Sequence, residues 1–535
     1  MSQAEVARPI GTAQPNAARR TLPGHYLHVF HRQWPLAVIT ACYVLSRVFF
    51  WTLGMRFASS EVEKFWQYLD TDLLKHSLWT SILYLHSQPP LMNLFYGLLL
   101  QIFHAHWSTV AYSLNLLFGL LAYLAIYAIL VRHKIATPIA LGLVIIAMCN
   151  PSAAVYEAEP LYTHTVFCLL IFSAYLFDLY LREPTPGIGI AFLVVITSLV
   201  LWRSSYQVVW YVLCAFWLIK ISPPEMRRKM TVLALTFAGL IGSLYLKNGF
   251  LLGSFNTSSC SGMSLAKAWT GRNQSADIAR LIQEKRLSQI SSIPAYSSMD
   301  IYQPVIGPLP RTGVPAVDTI FKDNGSLNLN NIGYPEVSKL YARDYWKILK
   351  LSPKTIAEQI SRGWLDYFRP TSVYISNFDP QNQASVETID RGYRSLFCLG
   401  ARNTSDSLLA SDSQGPSAQK LLRRLKSVCW QAAFIYAILA MFLVFMPFQR
   451  WATGGDRLTR QLLLFVVLNV AYSAFLSNAV EVAENMRYRF ETQGLVLIAA
   501  TIIGCRFLNS FLNSAKPRNS IVSKAPGPSE RAPSR

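Results

Sequence analysis

Apolar runs that alternate with short polar segments dominate the chain. Runs of roughly 17–25 mostly apolar residues are long enough to cross the ~30 Å hydrocarbon layer of a membrane as helices. The first run is too long for a signal peptide and lacks a small-residue cleavage site, so we expect it to anchor the chain. We predict ten membrane-spanning helices, at 35–54, 109–131, 136–150, 161–181, 187–202, 207–220, 230–247, 428–448, 461–480 and 493–512.

The apolar segment 89–105 determines the orientation of every later span, because counting it as a crossing inverts them all. If it lies along the membrane surface, the basic clusters beside the spans face the cytoplasm, which is their usual side. We therefore predict an interfacial helix at 89–105 and cytoplasmic N- and C-termini. The outer side then receives the polar segments 55–106, 150–160, 248–427 and 481–492.

Composition changes at the segment 248–427, which is rich in Ser, Asn, Gly and Pro. At about 180 residues this outer insert is long enough to bury a small core. Helical patterns occur at 335–350 and 354–368, whereas the rest resembles loops and short strands, so we predict a mixed α/β or irregular insert. The predicted fold class is therefore an all-α polytopic membrane protein, with about ten transmembrane helices plus interfacial helices and this insert.

The same boundaries divide the chain into five parts. They are a cytoplasmic disordered tail at 1–34, a membrane module at 35–247 that contains a first outer loop at 55–106, the outer insert at 248–427, C-terminal membrane helices at 428–512, and a second cytoplasmic disordered tail at 513–535.

Composition supports a membrane protein and excludes other classes. Hydrophobic residues form 52% of the chain and charged residues 15%, which excludes a disordered, collagen-like or disulfide-rich secreted protein. The net charge of +20 comes from short basic clusters beside apolar runs, so topology explains it and we expect no nucleic-acid partner. The sequence has no Walker-type loop, H-E-x-x-H helix or G-x-S-x-G elbow, so ATP-driven transport and these hydrolase chemistries lack support.

Ionisable residues cluster at the predicted outer ends of the spans, where they are costly unless they serve a polar cavity. If these clusters converge, one cavity at the outer face combines carboxylates with cations. The candidate catalytic acids are Asp70, Asp72 and Glu157, and the candidate substrate-binding residues are His86, Arg203, Lys247, Arg487 and Arg489. Glu159 and Glu481 are expected to be surface or pairing acids, and Arg47 is expected to snorkel to the membrane surface or to pack against a polar neighbour.

The two aspartates cannot face the same site, because residues two apart diverge both in a helix and in an extended turn. We therefore expect one of Asp70 and Asp72 to act as a general base and the other to be structural, the alternative for each being a helix-capping or solvated acid. His86 precedes the rigid Pro-Pro turn of LHSQPPLMN at 85–93. It is either a donor to a phosphate or acceptor, or a structural turn histidine.

Four cations are candidates for contacting a phosphate. Arg203 is the first choice, because a guanidinium is always charged and binds phosphate through two parallel bonds; the alternative is an interface anchor. Lys247 is the second choice, or else a cation at the end of a helix. Alternation in an extended ENMRYRF turn places Arg487 and Arg489 on one face, where they clamp one phosphate or pair with Glu484.

The arrangement of these motifs resembles the multi-span GT-C glycosyltransferases, which include protein O-mannosyltransferases and the aminoarabinose transferase of lipid A. The resemblance covers roughly 35–250 and consists of an acid in the first outer loop, the H-x-x-P-P-L sequence from His86, and Asn150-Pro151 followed by Glu157. It implies that Asp70, or failing that Asp72, takes the proton from an acceptor hydroxyl. Glu157 is implied as a second acid.

The sequence thus predicts a membrane glycosyltransferase that moves a hexosyl or pentosyl group from a polyprenyl-phosphate donor to a glycan, lipid or protein acceptor at the outer face. One displacement with Asp70 as base inverts the anomeric carbon. No cofactor is required: Mg²⁺ or Mn²⁺ is possible but unsupported, since arginine alone can serve a lipid monophosphate.

The bacterial inner membrane is the preferred location and the endoplasmic reticulum the alternative. An O-antigen ligase or polymerase and a non-catalytic transporter or flippase are the alternative functions. Cys260 and Cys398 both lie in the outer insert, and whether they pair is left open. The remaining cysteines lie in or at the ends of spans and are interpreted as small apolar residues.

Overall fold

The computed structural model describes residues 23–271, 275–372, 380–398, 422, 424–444, 456–481 and 484–514. Of the predicted tails at 1–34 and 513–535, residues 1–22 and 515–535 lie outside the described residues. Within them the chain is helical, and its one β-type pairing is an isolated bridge between Phe321 and Leu327.

Helices before the insert form the first part of the bundle. They are α1 (Pro23–Thr52), α2 (Glu61–Lys64), α3 (Thr71–His76), α4 (Leu78–Leu83), α5 (Pro90–Phe103), α6 (Trp107–Arg132), α7 (Thr137–Met148), α8 (Pro151–Ala158), α9 (Tyr162–Arg182), α10 (Pro186–Trp202), α11 (Val208–Ile221) and α12 (Pro224–Leu252). Helix α1 begins earlier than the predicted tail boundary at residue 34, because a proline is well accommodated in the first turn of a helix.

The later helices belong to the insert and to the C-terminal part of the bundle. In the insert they are α13 (Ser261–Ala266), α14 (Ala276–Gln283), α15 (Met299–Ile306), α16 (Pro315–Asp318), α17 (Tyr334–Leu351), α18 (Pro353–Tyr367) and α19 (Pro380–Phe397). They are followed by α20 (Trp430–Val444), α21 (Arg457–Val480) and α22 (Asn485–Ser514).

Several helices are long and apolar enough to cross a membrane, so the chain is a multi-pass helical membrane protein. Six described stretches meet this test, or seven if α7 and α8, which meet at 54°, form one broken span. The six are Gln33–Thr52, Pro90–Arg132, Tyr162–Arg182, Pro224–Leu252, Arg457–Val480 and Asn485–Leu512. Helices α10, α11 and α20 are apolar but shorter. Each of the ten predicted spans overlaps a helix, and ten crossings remain a prediction.

Helix α5 occupies the segment predicted to lie on the membrane surface. It begins at Pro90 behind Pro89, and His104, with a φ of 45°, separates it from α6. Because that backbone conformation is strained for a residue with a side chain, the break is a defined feature of the chain. Helix α5 packs against α3, α6 and α10, which fixes the first loop above the bundle.

The insert is helical where it is described, so the prediction of short strands is wrong there. Its helices α17 and α18 coincide with the predicted helices at 335–350 and 354–368. They bury large aromatic side chains in a separate core, which includes Trp269, Tyr302, Tyr334 and Tyr341. The polar sequence around them suggested strands because short helices and turns share its Ser, Asn and Pro content.

Helix α9 is the centre of the bundle, and most of its side chains are buried. It packs against α6, α10, α21 and α22. We call the end of the bundle where α12 ends and α22 begins the insert end, because the insert joins it there. The opposite end is where α6 and α9 end and α21 begins.

Candidate functional site

Asp70 connects the first loop to the insert. One of its carboxylate oxygens accepts the backbone N–H of Asp72 at 2.9 Å and caps α3, and the other accepts the N–H of Asp323 at 2.7 Å. Asp72 is exposed and lies 3.5 Å from His76 on the same helix. The two aspartates therefore diverge, as predicted, and Asp70 is the one with contacts outside its own loop.

The first loop also contacts the bundle directly below Asp70. The hydroxyl of Tyr68 donates to the carbonyl of Pro160, and the side chain of Asn93 accepts the N–H of Leu69 at 2.8 Å. Burial, with smaller contributions that include the Glu159 carboxylate, raises the pKa of Tyr68. Glu159 is only 4% exposed, so it is a buried acid beneath the loop, which excludes the surface acid but not the pairing acid of the two predicted alternatives.

His86 is a structural residue in this geometry. Its Nε2 donates to the carbonyl of Asn330 at 2.8 Å, so its Nδ1 accepts the hydroxyl of Ser259 at 2.6 Å. Burial lowers the pKa of His86 to about 3, and the ring is therefore neutral. Both ring nitrogens are occupied and the side chain is fully buried, which favours the turn-histidine alternative over a contact to phosphate.

Lys247 of α12 connects the bundle to the first loop. Its ammonium group donates to the carbonyl of Leu85 at 2.5 Å. Helix α12 itself continues to Leu252 and ends at Gly253, whose φ of 63° suits a glycine at a helix end. Lys247 therefore binds the first loop and does not cap its own helix.

Glu157 forms a closed ion pair with Arg47. Both carboxylate oxygens accept guanidinium N–H groups at 2.6 Å, and the exposed fractions are 6% for Arg47 and 1% for Glu157. Arg47 also donates to the carbonyl of Met148, and Asn115 donates to the carbonyl of Glu157. The pair joins α1, α6, α7 and α8, so the implied second acid already has a dedicated partner within the bundle.

Arg203 is buried at the junction of three helices. It forms an ion pair with Glu491 of α22 and is 2% exposed. Its guanidinium lies 4.2 Å from the ring centres of both Tyr162 and Tyr488, so two aromatic faces hold it in place. Glu491, which the sequence analysis did not single out, lies two residues after Arg489 and just before the last apolar run, and this position at the end of a span was the signal that could have found it.

Arg487 and Arg489 do not share a face, because their segment is helical and not the extended turn on which that prediction depended, whereas the alternative pairing with Glu484 is present for Arg487. Helix α22 begins at Asn485, and helical residues two apart point in directions about 200° apart. Arg487 pairs with Glu484 at 2.8 Å and approaches the ring of Tyr162. Arg489 instead donates to the carbonyls of Tyr367 and Arg369, at 2.9 and 2.5 Å.

A cavity of about 200 Å³ opens beside Arg489. Its polar lining includes Asn150, Thr371 and Arg394, and Arg394 forms an ion pair of 2.8 Å with Asp390. A second cavity of about 150 Å³ extends it between the helices of the bundle and is lined mainly by apolar side chains. The two cavities share the lining residues Asn150, Tyr393 and Gln493.

Tyr156 of α8 lies between α22 and the polar cavity. Its hydroxyl donates to the carbonyl of Thr371 at 3.2 Å, and its ring is 4.3 Å from that of Phe490. Thr371 lines the cavity, and Phe490 lies between Arg489 and Glu491 on α22. Tyr156 of the buried helix α8 therefore contacts both the cavity wall and α22.

The structure thus gathers most of the predicted residues at the insert end, although in separate contacts. The charged residues that line the polar cavity are Arg489 and, from the insert, Arg394 and Asp390. Among the described residues, no group of three or more His, Cys, Asp or Glu side chains has the geometry to hold a metal ion. No protein-family model matches the chain, and neither the search of curated proteins nor that of solved structures found a match.

Proposed function

We propose that the chain is an integral membrane glycosyltransferase with a GT-C-like architecture. It moves a sugar from a polyprenyl-phosphate donor to an acceptor at the outer face of the membrane, and the insert end of the bundle faces that side. The proposal combines the resemblance of the first loop with the chemistry of the insert end.

Buried charge at the insert end is the first support. Arg203, Glu491 and Glu159 are each at most 4% exposed in a bundle whose core is mostly apolar. Ionisable groups in such surroundings are expensive, and membrane proteins keep them where a substrate or ion must be handled. Holding a guanidinium between two tyrosine rings also fixes its orientation before any ligand arrives.

The paired cavities carry the proposal. The polar cavity has Arg489 and Arg394 in its wall, and the adjoining apolar cavity runs between α6, α7, α9 and α22. An anionic head with a long hydrocarbon chain suits this combination, because the head meets cations and the chain meets apolar side chains. A polyprenyl phosphate has that chemistry.

Asp70 is the proposed general base. Its side chain is half-buried, whereas Glu159 is enclosed, so Asp70 is the acid that an acceptor can reach from the aqueous side. A carboxylate has about four lone-pair sites, and two backbone N–H groups orient Asp70 without filling them all. Asp70 takes the proton of the acceptor hydroxyl while that oxygen attacks the anomeric carbon.

The bond between the anomeric carbon and the phosphate oxygen breaks in the same step. The polyprenyl phosphate leaves with the electron pair, and the arginines at the cavity stabilise its charge. A single displacement of this kind inverts the anomeric centre. Glu159, buried beneath the loop, stabilises positive charge that develops on the sugar ring.

The test uses the full chain in lipid nanodiscs with defined polyprenyl-phosphate sugars and a panel of glycan, lipid and peptide acceptors. Asp70→Asn should lower the transfer rate by about 10²–10⁴-fold, the usual contribution of a positioned base. Asp72→Asn is the matched control, because Asp72 lies two residues from Asp70 at the start of α3. It should keep the wild-type rate, since its carboxylate is exposed and lies beside His76 of the same helix. Unchanged transfer in the double variant would remove the mechanism.

A ligase or polymerase of the O-antigen type is the second candidate. It is favoured by the position of Arg489 in a late segment of the chain, where such enzymes are expected to place their phosphate contacts. A loss of transfer in Arg489→Gln with full activity in Asp70→Asn would select it over the first candidate.

A further inference from the structure

Two cysteines, one directly after α19 and one directly before α20, lie together beside the cavity. Cys398 follows the last turn of α19, where its N–H donates to the carbonyl of Arg394 at 2.8 Å. Cys429 precedes α20, and its N–H donates to the carbonyl of Phe368 at 2.8 Å. The two sulfur atoms are 2.7 Å apart, and both residues line the polar cavity.

We propose that Cys398 and Cys429 form a disulfide in the mature protein, and that this bond fixes α19 against α20 as one wall of the cavity. A disulfide requires sulfurs about 2.05 Å apart, so the two thiols need to move by less than about 1 Å. Backbone hydrogen bonds already hold both residues in place, which limits the conformational entropy that the bond has to overcome. The sequence had paired Cys260 with Cys398 as an open possibility.

Cys260 is not available for that pairing in this fold. It is 3% exposed and belongs to the core of the insert with Met263 and Trp269. Cys398 instead lies against Cys429, which the sequence analysis had interpreted as a small apolar residue. The partner was missed because it lies just before an apolar run and 31 residues further along the chain.

The two thiols differ in exposure, so we expect Cys398 to react with an oxidant before Cys429 does. Cys398 is partly exposed, and a hydrogen bond from Cys429 lowers the pKa of Cys398. Cys429 is 1% exposed, so it is the less accessible of the two thiols. Because the thiolate is the nucleophile in disulfide exchange, Cys398 meets the oxidant first.

The oxidant is the disulfide of a thiol–disulfide oxidoreductase in the outer compartment. The Cys398 thiolate attacks one sulfur of that disulfide, forming a mixed disulfide and releasing the other oxidant sulfur as a thiolate. Cys429 then loses its proton and attacks the Cys398 sulfur. The Cys398–Cys429 bond forms, and the oxidant leaves as a dithiol that has gained two electrons and two protons.

Peptide mapping tests the bond directly. Membranes are solubilised in N-ethylmaleimide, and the full chain is digested with trypsin without reduction. The expected product joins the peptides 395–402 and 427–450 and separates on reduction. It should be absent from Cys398→Ser and Cys429→Ser and present in Cys260→Ser, the matched control. Alkylation of both cysteines in wild type, or a bond between Cys398 and Cys260, would overturn the proposal.

The inference rests on the outer placement of the insert, which is part of the proposed function, and a second measurement separates the two. In Cys429→Ser, a membrane-impermeant maleimide should label Cys398 in sealed cells from outside. Labelling from outside with no disulfide in wild type would reject the bond and leave the placement intact. Labelling that requires permeabilisation would reject the placement, and with it both proposals.

Discussion

At the opposite end of the bundle, the fully buried carboxylate of Asp178 accepts hydrogen bonds from His133 at 2.8 Å, Arg182 at 3.1 Å and Arg132 at 3.4 Å. At the insert end, the arginines are distributed over separate partners, and Arg489 lines a cavity. At the opposite end, two arginines and a histidine therefore contact a single acid. At the insert end, the arginines contact separate acids, aromatic rings and the wall of the cavity.

This difference leads us to expect that the Asp178 end stabilises the bundle and that the insert end holds the site of transfer. The network around Asp178 joins α6 and α9, and His133 extends it to Thr459 of α21 at 2.8 Å. Its contacts hold three helices together at their ends. The insert end pairs its charges too, but it also contains the first loop, the cavities and a half-buried acid. Substitutions at the two ends should consequently separate stability from transfer activity.

The largest expected loss of stability lies at the Arg47–Glu157 pair. Glu157→Leu leaves the guanidinium of Arg47, which is 6% exposed, without its carboxylate, and should cost about 3–5 kcal/mol. The double variant Arg47→Met/Glu157→Leu should recover most of this loss, because no buried charge remains unpaired. Thermal unfolding in detergent measures both.

The same double variant decides the role of Glu157. If the double variant regains stability and still transfers sugar, the Arg47–Glu157 pair is a structural link between helices. Loss of transfer in a double variant of normal stability would instead make Glu157 part of the reaction, as the family resemblance implied.

Asp178→Asn should have a smaller effect on stability. Its arginine partners are each 28% exposed and can regain water when the carboxylate is removed, so the expected loss is about 1.5–3 kcal/mol. Transfer activity per folded molecule should not change. A Tm lowered at normal specific activity is the expected result, and a selective loss of activity would contradict the division between the ends.

Gly119→Ala tests how tightly the insert end is packed. A methyl group at Gly119 would lie 2.6 Å from the hydroxyl oxygen of Tyr43 and 2.7 Å from a carboxylate oxygen of Glu157. The expected cost is about 1–3 kcal/mol, since a packed core resists added volume. Gly142→Ala is the control: no atom lies within 4 Å of the added methyl, so its Tm should stay equal or rise.

Per unit of pH, the smallest expected effect is the pH dependence that His86 contributes. Its pKa is lowered from 6.5 to about 3 by burial, so between these values only the unfolded chain binds the proton. Stability is therefore complete above about pH 6.5 and falls as the pH is lowered towards 3, by at most about 1.4 kcal/mol per pH unit. His86→Gln should flatten the Tm between pH 6.5 and 5, and an unchanged slope would assign the effect to other groups.

The helices could be predicted from the sequence because their signals are local. Apolar runs located the long helices, and proline at the first turn followed by mixed apolar positions located α17 and α18. The Pro-Pro turn before α5 was equally clear. The error at Arg487 and Arg489 came from a boundary: α22 begins before these residues, and an extended turn has a different periodicity from a helix.

The partners of the site residues could not be predicted, because they are distant in sequence. Arg47 and Glu157 are 110 residues apart, and Asp70 meets the backbone of Asp323 across 253 residues. A single sequence carries no signal for such pairs beyond the cost of leaving each charge unpaired. That cost drew attention to Arg203 but could not name its partner Glu491.

The most direct measurement is sugar transfer from a defined polyprenyl-phosphate donor by the full chain in nanodiscs, compared between Asp70→Asn and Asp178→Asn at equal amounts of folded protein. The account predicts that the first variant is at least a hundredfold slower than wild type, by about the contribution of a general base, and that the second equals wild type. Equal rates for Asp70→Asn and wild type, or a selective loss in Asp178→Asn, would contradict it.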